Sequence, residues 1–122
     1  MINTLSQTTT DRLVARFVEI GLLQDKALTH HKTARYNKLY DENESILEEL
    51  KSRPGDERRS LLPLRDHDNI QVRLNATKAT LAIDPDGSRR VLKAIAESGL
   101  FPQAGDAGMS IRALQQGIFQ PT

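Results

Sequence analysis

Apolar positions recur at steps of three and four along most of this chain, the pattern of helices that each bury one face. Leu13, Val14, Phe17, Val18 and Ile20 place a first helix from Thr10, read as its N-cap with Asp11 in the first turn, to about Leu28. Gly21 is the point where that helix either breaks or runs on toward His30. Tyr36, Leu39, Tyr40, Asn43, Ile46, Leu47 and Leu50 draw one stripe along a second helix from about Thr33 to Arg53, stopped at Pro54-Gly55. Asp56 then caps a third helix carrying Leu61, Leu62 and Leu64, bent at Pro63, which has no backbone N–H to donate.

A turn at Asp66 to Asn69 leads to a fourth helix over about Ile70–Ile83. Val72, Ala76, Ala79 and Ile83 form one stripe there and Leu74 and Leu81 a second, so this helix is expected between two neighbours. Asp84-Pro85 reads as N-cap and first residue of a fifth helix that buries Val91, Leu92, Ile95 and Ala96 and stops at Gly99. Ala107, Ile111, Leu114 and Ile118 give a sixth, ended near Gly117. No stretch alternates as a strand does. The pattern predicts an all-α chain of about six helices, and the short connections favour three antiparallel hairpins.

The run Leu61-Leu62-Pro63-Leu64-Arg65-Asp66-His67-Asp68-Asn69-Ile70-Gln71-Val72-Arg73-Leu74-Asn75-Ala76-Thr77-Lys78-Ala79-Thr80-Leu81 resembles a HEAT-like repeat, here spanning about 56–83. Its order is a Pro-containing apolar helix, an Asp-rich turn, then Val-Arg-x-x-Ala-x-x-Ala. Asp and Asn cap the second helix, while Ala76 and Ala79 let the pair approach closely. His67 stands six residues before Arg73, where the repeat usually has Asp. Together with Ala34-Arg35-Tyr36-Asn37 and Pro102-Gln103-Ala104-Gly105-Asp106-Ala107-Gly108-Met109, the repeat resembles a small bacterial family of uncharacterised proteins with an armadillo/HEAT-type fold, over about Val14 to Phe119. The resemblance implies a right-handed α-α superhelix and brings no catalytic residue with it.

The 122 residues fit a single domain, 1–122, with loose ends expected at 1–8 and 120–122. The chain has no Cys, which excludes disulfides, thiolate zinc sites and cysteine nucleophiles and fits a reducing, cytoplasmic setting. Met1 to Thr10 has neither a basic start nor a long apolar run, so no signal peptide and no membrane association are expected. Lys and Arg number 17 against 16 Asp and Glu, so any attraction to nucleic acid must be local. Three Phe, two Tyr and no Trp leave little for base stacking.

Several clusters have a bland reading beside a functional one. His30-His31 with Lys32 and Arg35 is a basic helix start able to meet phosphate or an acidic partner, but is also an ordinary solvated end. Asp66-His67-Asp68 contains metal-ligand residue types that serve equally as caps. Asp41, Glu42, Glu44, Glu48 and Glu49 make an acidic half-helix of the kind common on wet faces. Asn43 interrupts an apolar stripe, to satisfy a backbone group, fix register or mark a ligand gap. Gly105 and Gly108 beside Asp106 favour close packing and lack the Lys and Ser/Thr of a P-loop. The expectation is therefore a non-enzymatic protein-protein interaction module with no cofactor and no metal. The alternative is a nucleic-acid-binding repeat protein using Arg58, Arg59, Arg89, Arg90 and Lys93 as a basic face. An enzyme would need a cleft near Asn43, His67 or Asp106.

Overall fold

The computed structural model describes residues 4–122, and these divide into two compact units that meet in sequence between Ser60 and Leu61. The described residues contain helices and no strand: five α-helices, a ten-residue 3-10 helix and a short 3-10 turn. No helix among them is long and apolar enough to cross a membrane.

The first unit is a helical hairpin. Helix α1 (Thr10–Thr29) starts one residue earlier than its pattern suggests, because the Thr9 hydroxyl, not that of Thr10, accepts the Arg12 N–H at 3.2 Å. It continues through Gly21, whose cost of about 1 kcal/mol in a helix is outweighed by burying Leu13, Phe17, Ile20 and Ala27. The chain reverses at His31, in the left-handed region at φ 56°, and the Lys32 N–H closes the turn on the Ala27 carbonyl at 2.8 Å. Helix α2 (Thr33–Ser52) then packs against α1 with Leu39, Ile46 and Leu50.

Two arginines fasten this hairpin. Arg16 of α1 reaches Glu42 of α2 through Nε and a terminal nitrogen at 2.5 and 2.7 Å, and also pairs with Glu19. The two-pronged geometry holds the Glu42 carboxyl below its usual range. Arg53 ends α2 and donates to Glu49 (2.9 Å), the Thr10 hydroxyl (3.1 Å) and the carbonyls of Leu5 (2.9 Å) and Thr8 (2.6 Å). Within residues 1–8, expected to be loose, Leu5–Gln7 forms a 3-10 turn that Arg53 bonds; residues 1–3 lie outside the described range.

Glu57–Asp66, expected as a bent α-helix capped by Asp56, is instead a 3-10 helix. Pro63 removes a donor from its middle, and only Leu61 is fully buried, so little packing rewards an α conformation.

The second unit holds α3 (Ile70–Ala79), α4 (Pro85–Ala96) and α5 (Gln103–Gln115) around Leu74, Leu92, Ile95 and Ala107, with Ile70, Val91, Ala96, Ile111 and Leu114 packed on them. Asn69 caps α3 by accepting the Gln71 and Val72 N–H groups at 2.9 and 3.1 Å. Asp84 caps α4 from the Gly87 N–H at 3.2 Å, as Asp84-Pro85 predicts. Helix α3 stops before Ile83 because the buried Thr80 hydroxyl turns back to the Ala76 carbonyl at 2.8 Å and also meets the Ser88 hydroxyl at 2.8 Å. Arg65 completes this polar chain, donating to Asp84 at 2.9 Å and Ser88 at 3.2 Å. A second chain joins buried Gln103 to Gln71 at 3.0 Å and Gln71 to Asn75 at 2.9 Å. Each removes an unpaired polar group that would cost about 1–3 kcal/mol if buried alone.

Candidate functional site

The five basic residues singled out by sequence divide by unit. Arg58 is committed locally: its Nε and a terminal nitrogen bind the Asp56 carboxylate at 2.9 and 2.6 Å, and its side chain is only 12% exposed. The pairing holds the Asp56 carboxyl below its usual range. Arg59 donates to the Gly55 carbonyl at 3.0 Å. In the second unit Arg89, Arg90 and Lys93 share the outer face of α4, all exposed and none in an ion pair among the described residues. Asp86 and Glu97 lie on the same exposed face and reduce its net charge.

The polar candidates resolve mostly into structural roles. His67 Nδ1 accepts the Asn69 N–H at 3.0 Å, closing the turn that aims the Asn69 cap. Asp66 and Asp68 are exposed beside it. Asp106 accepts from Lys78 Nζ at 3.0 Å and from the Ser110 hydroxyl at 3.3 Å, tying α5 to α3. Among the described residues no group of three or more His, Asp or Glu is placed to hold a metal ion.

Asn43 is 6% exposed, and its buried Oδ1 has no hydrogen-bond partner, so this oxygen satisfies no backbone group. In the acidic half of α2, Glu42 and Glu49 are paired to Arg16 and Arg53, while Asp41, Glu44 and Glu48 face solvent. A shallow groove of about 320 Å³ is lined by Leu5, Ser45, Glu48, Glu49 and Ser52, and reaches none of Asn43, His67 and Asp106. His30, His31, Lys32 and Arg35 are exposed at the tip of the first hairpin.

Apolar surface is the feature that sequence reasoning missed. Leu100, Phe101, Met109, Ile118 and Phe119 are all exposed, Phe101 at 74%, Met109 at 60% and Ile118 at 77%. They border or sit on α5, whose opposite face is buried through Ala104 and Ala107. Ile118 belongs to the expected buried stripe by spacing, yet α5 ends at Gln115 and Gly117 turns left-handed at φ 70°, which swings Ile118 outward. Phe101 and Met109 lie off that stripe, which was the available signal. Between them, Gly105 carries only the Phe101 ring, 3.7 Å from where a Cβ would stand, and Gly108 has open space.

The family described as Domain of unknown function (DUF2019) matches residues 11–115 of the chain. The chain is also similar to a solved structure, that of the protein RPA1889 from Rhodopseudomonas palustris CGA009. The two share 44% identity over 100% of each chain, with a TM-score of 0.94. No curated protein matches it.

Proposed function

We propose that this chain, which belongs to the DUF2019 family, acts as a non-enzymatic cytoplasmic module that binds another protein through a helical surface. The observation that carries the reading is the exposed apolar surface along α5, formed by Leu100, Phe101, Met109, Ile118 and Phe119. Five large apolar side chains left in water on and beside one helix are costly, and exposed apolar surface that gathers in one region marks contact sites. The scaffold in this proposal is HEAT-like, supported by the Pro63-containing helix, the Asn69-capped turn and the Val72-Arg73 head of α3.

The test is affinity capture with tagged protein, comparing the wild type with Phe101→Glu/Met109→Glu. A protein retained stoichiometrically by the wild type, insensitive to nuclease and lost by the variant, supports the reading; equal capture by both overturns it.

The second reading, nucleic-acid binding, is favoured by Arg89, Arg90 and Lys93, exposed on α4 and in no salt bridge among the described residues. It predicts DNA or RNA affinity that falls steeply with salt and a shallower salt slope in Arg89→Ala/Arg90→Ala/Lys93→Ala. Binding with the same slope in that variant removes it.

A further inference from the structure

We propose that residues 4–8 form a strap that opens and closes as a unit on the end of α2, and that the Arg53 guanidinium is its latch.

The position of the latch follows from the residue after it. Pro54 disfavours the α conformation in the residue before it, so α2 stops and Arg53 is extended, at φ −75° and ψ 149°. Its backbone is then held on both sides: the N–H donates to the Leu50 carbonyl at 3.3 Å, and the carbonyl accepts the Asp56 N–H at 2.9 Å. The side chain is only 17% exposed, and its Nε donates to Glu49 at 2.9 Å, which orients the guanidinium. The two terminal nitrogens turn to the start of the chain. One donates to the hydroxyl of Thr10, the first residue of α1, and the other to the carbonyls of Leu5 and Thr8, on either side of the 3-10 turn. One planar cation thus joins the end of α2, the start of α1 and the strap, a span that the compact ammonium of a lysine does not bridge.

The strap itself is lightly built. The turn Leu5–Gln7 has no buried residue. Its internal bonds include Gln7 N–H to the Thr4 carbonyl at 3.2 Å, Thr8 N–H to the Leu5 carbonyl at 3.0 Å and the Thr8 hydroxyl to the Thr4 carbonyl at 2.8 Å. A segment with little buried apolar contact opens locally, well below the cost of unfolding the elements it lies on. Helix α1, by contrast, buries Leu13, Phe17, Ile20 and Ala27. Opening has a structural consequence, because Leu5 of the strap forms one wall of the groove of about 320 Å³ and Ser45, Glu48, Glu49 and Ser52 of α2 form the other. Release of the strap removes the Leu5 wall and uncovers this end of α2; closure rebuilds the groove.

Native-state hydrogen exchange on the full chain tests this, read at the Gln7 and Thr8 amides of the strap and at Phe17 and Ile46 in the hairpin core. In the wild type, Gln7 and Thr8 should be protected at least about tenfold by an opening that does not respond to low urea, while Phe17 and Ile46 open only with unfolding. Arg53→Ala and Arg53→Lys should both remove most of the strap's protection, the lysine because it keeps the charge and loses the fork. Arg16→Ala, which cuts the other fastening of the hairpin, should lower protection at Phe17 and Ile46 and leave Gln7 and Thr8 unchanged. Because the chain has no native cysteine, Leu5→Cys gives a second readout: its thiol should react at least about tenfold faster when combined with Arg53→Ala. If Arg53→Ala does not fold, the urea dependence of the wild type and the Arg53→Lys variant decide. Gln7 and Thr8 unprotected in the wild type, exchanging only together with Phe17 and Ile46, or equally protected without Arg53 would each overturn the latch.

Discussion

His67 Nδ1 accepts the backbone N–H of Asn69 at 3.0 Å, and Asn69 in turn caps α3. A ring nitrogen here does what a carboxylate does in an Asx turn, which explains how the chain keeps a capped turn with His at this position. His67→Asp should retain the acceptor and change stability by less than about 0.5 kcal/mol, whereas His67→Ala should lose about 1 kcal/mol through a loosened cap. Urea unfolding of the two variants checks the difference; equal losses would show that the hydrogen bond contributes nothing.

Gly87 and Gly108 are both helical glycines and should respond to alanine with opposite sign. A Cβ at Gly87 would stand 2.1 Å from Asp84 Oδ2 and 2.8 Å from an Arg65 nitrogen, inside the cap and ion pair that begin α4. Gly87→Ala must displace that carboxylate and should cost about 1–2 kcal/mol. Gly108 has open space, so Gly108→Ala should gain up to about 1 kcal/mol from helix propensity. Melting temperatures that shift in the same direction for both would contradict this account.

What the sequence revealed follows from which forces are local. The long stripes of α1, α2 and α4 and the caps at Asn69 and Asp84 are set within a turn or two of chain, so spacing and residue type suffice to place them. The 3-10 form of Glu57–Asp66 was hidden because Pro63 permits a bent α-helix equally well, and the choice depends on how little that segment buries. Buried Gln71, Gln103, Thr80 and Ser88 were also hidden, since polar residues read as surface until their partners, eight to 32 residues away, are known. The basic residues show the same limit: Arg58 and Arg90 carry one charge each, but only geometry separates the arginine clamped by Asp56 from the one exposed on α4 in no salt bridge.

Asn43 carries a buried Oδ1 without a partner, the kind of group whose desolvation is paid without return. Asn43→Leu removes that oxygen from an otherwise apolar stripe and should raise stability by about 1 kcal/mol. Asn43→Asp places a charge at the same spot and should lower it, and more so above the ordinary aspartate range. A destabilised leucine variant would overturn this account of Asn43.

The Arg16–Glu42 pair fixes how stability should depend on pH. Hydrogen bonds from Arg16 hold the Glu42 carboxyl below the ordinary glutamate value of about 4.3. A depressed folded-state value means that the unfolded chain takes up the proton first as pH falls. The pair's contribution is therefore fully present above about 4.3 and is lost as pH drops through the folded value. Glu42→Gln should be less stable than the wild type at pH 7, with the gap narrowing as pH falls below about 4. The wild type should still lose stability in acid after this change, because Asp56 with Arg58 and Asp84 with Arg65 are depressed for the same reason. Thermal unfolding of both proteins across pH 3–7 reads this directly. A gap that stays constant over that range would show that Glu42 holds α1 to α2 by packing and hydrogen bonding, with its charge contributing nothing.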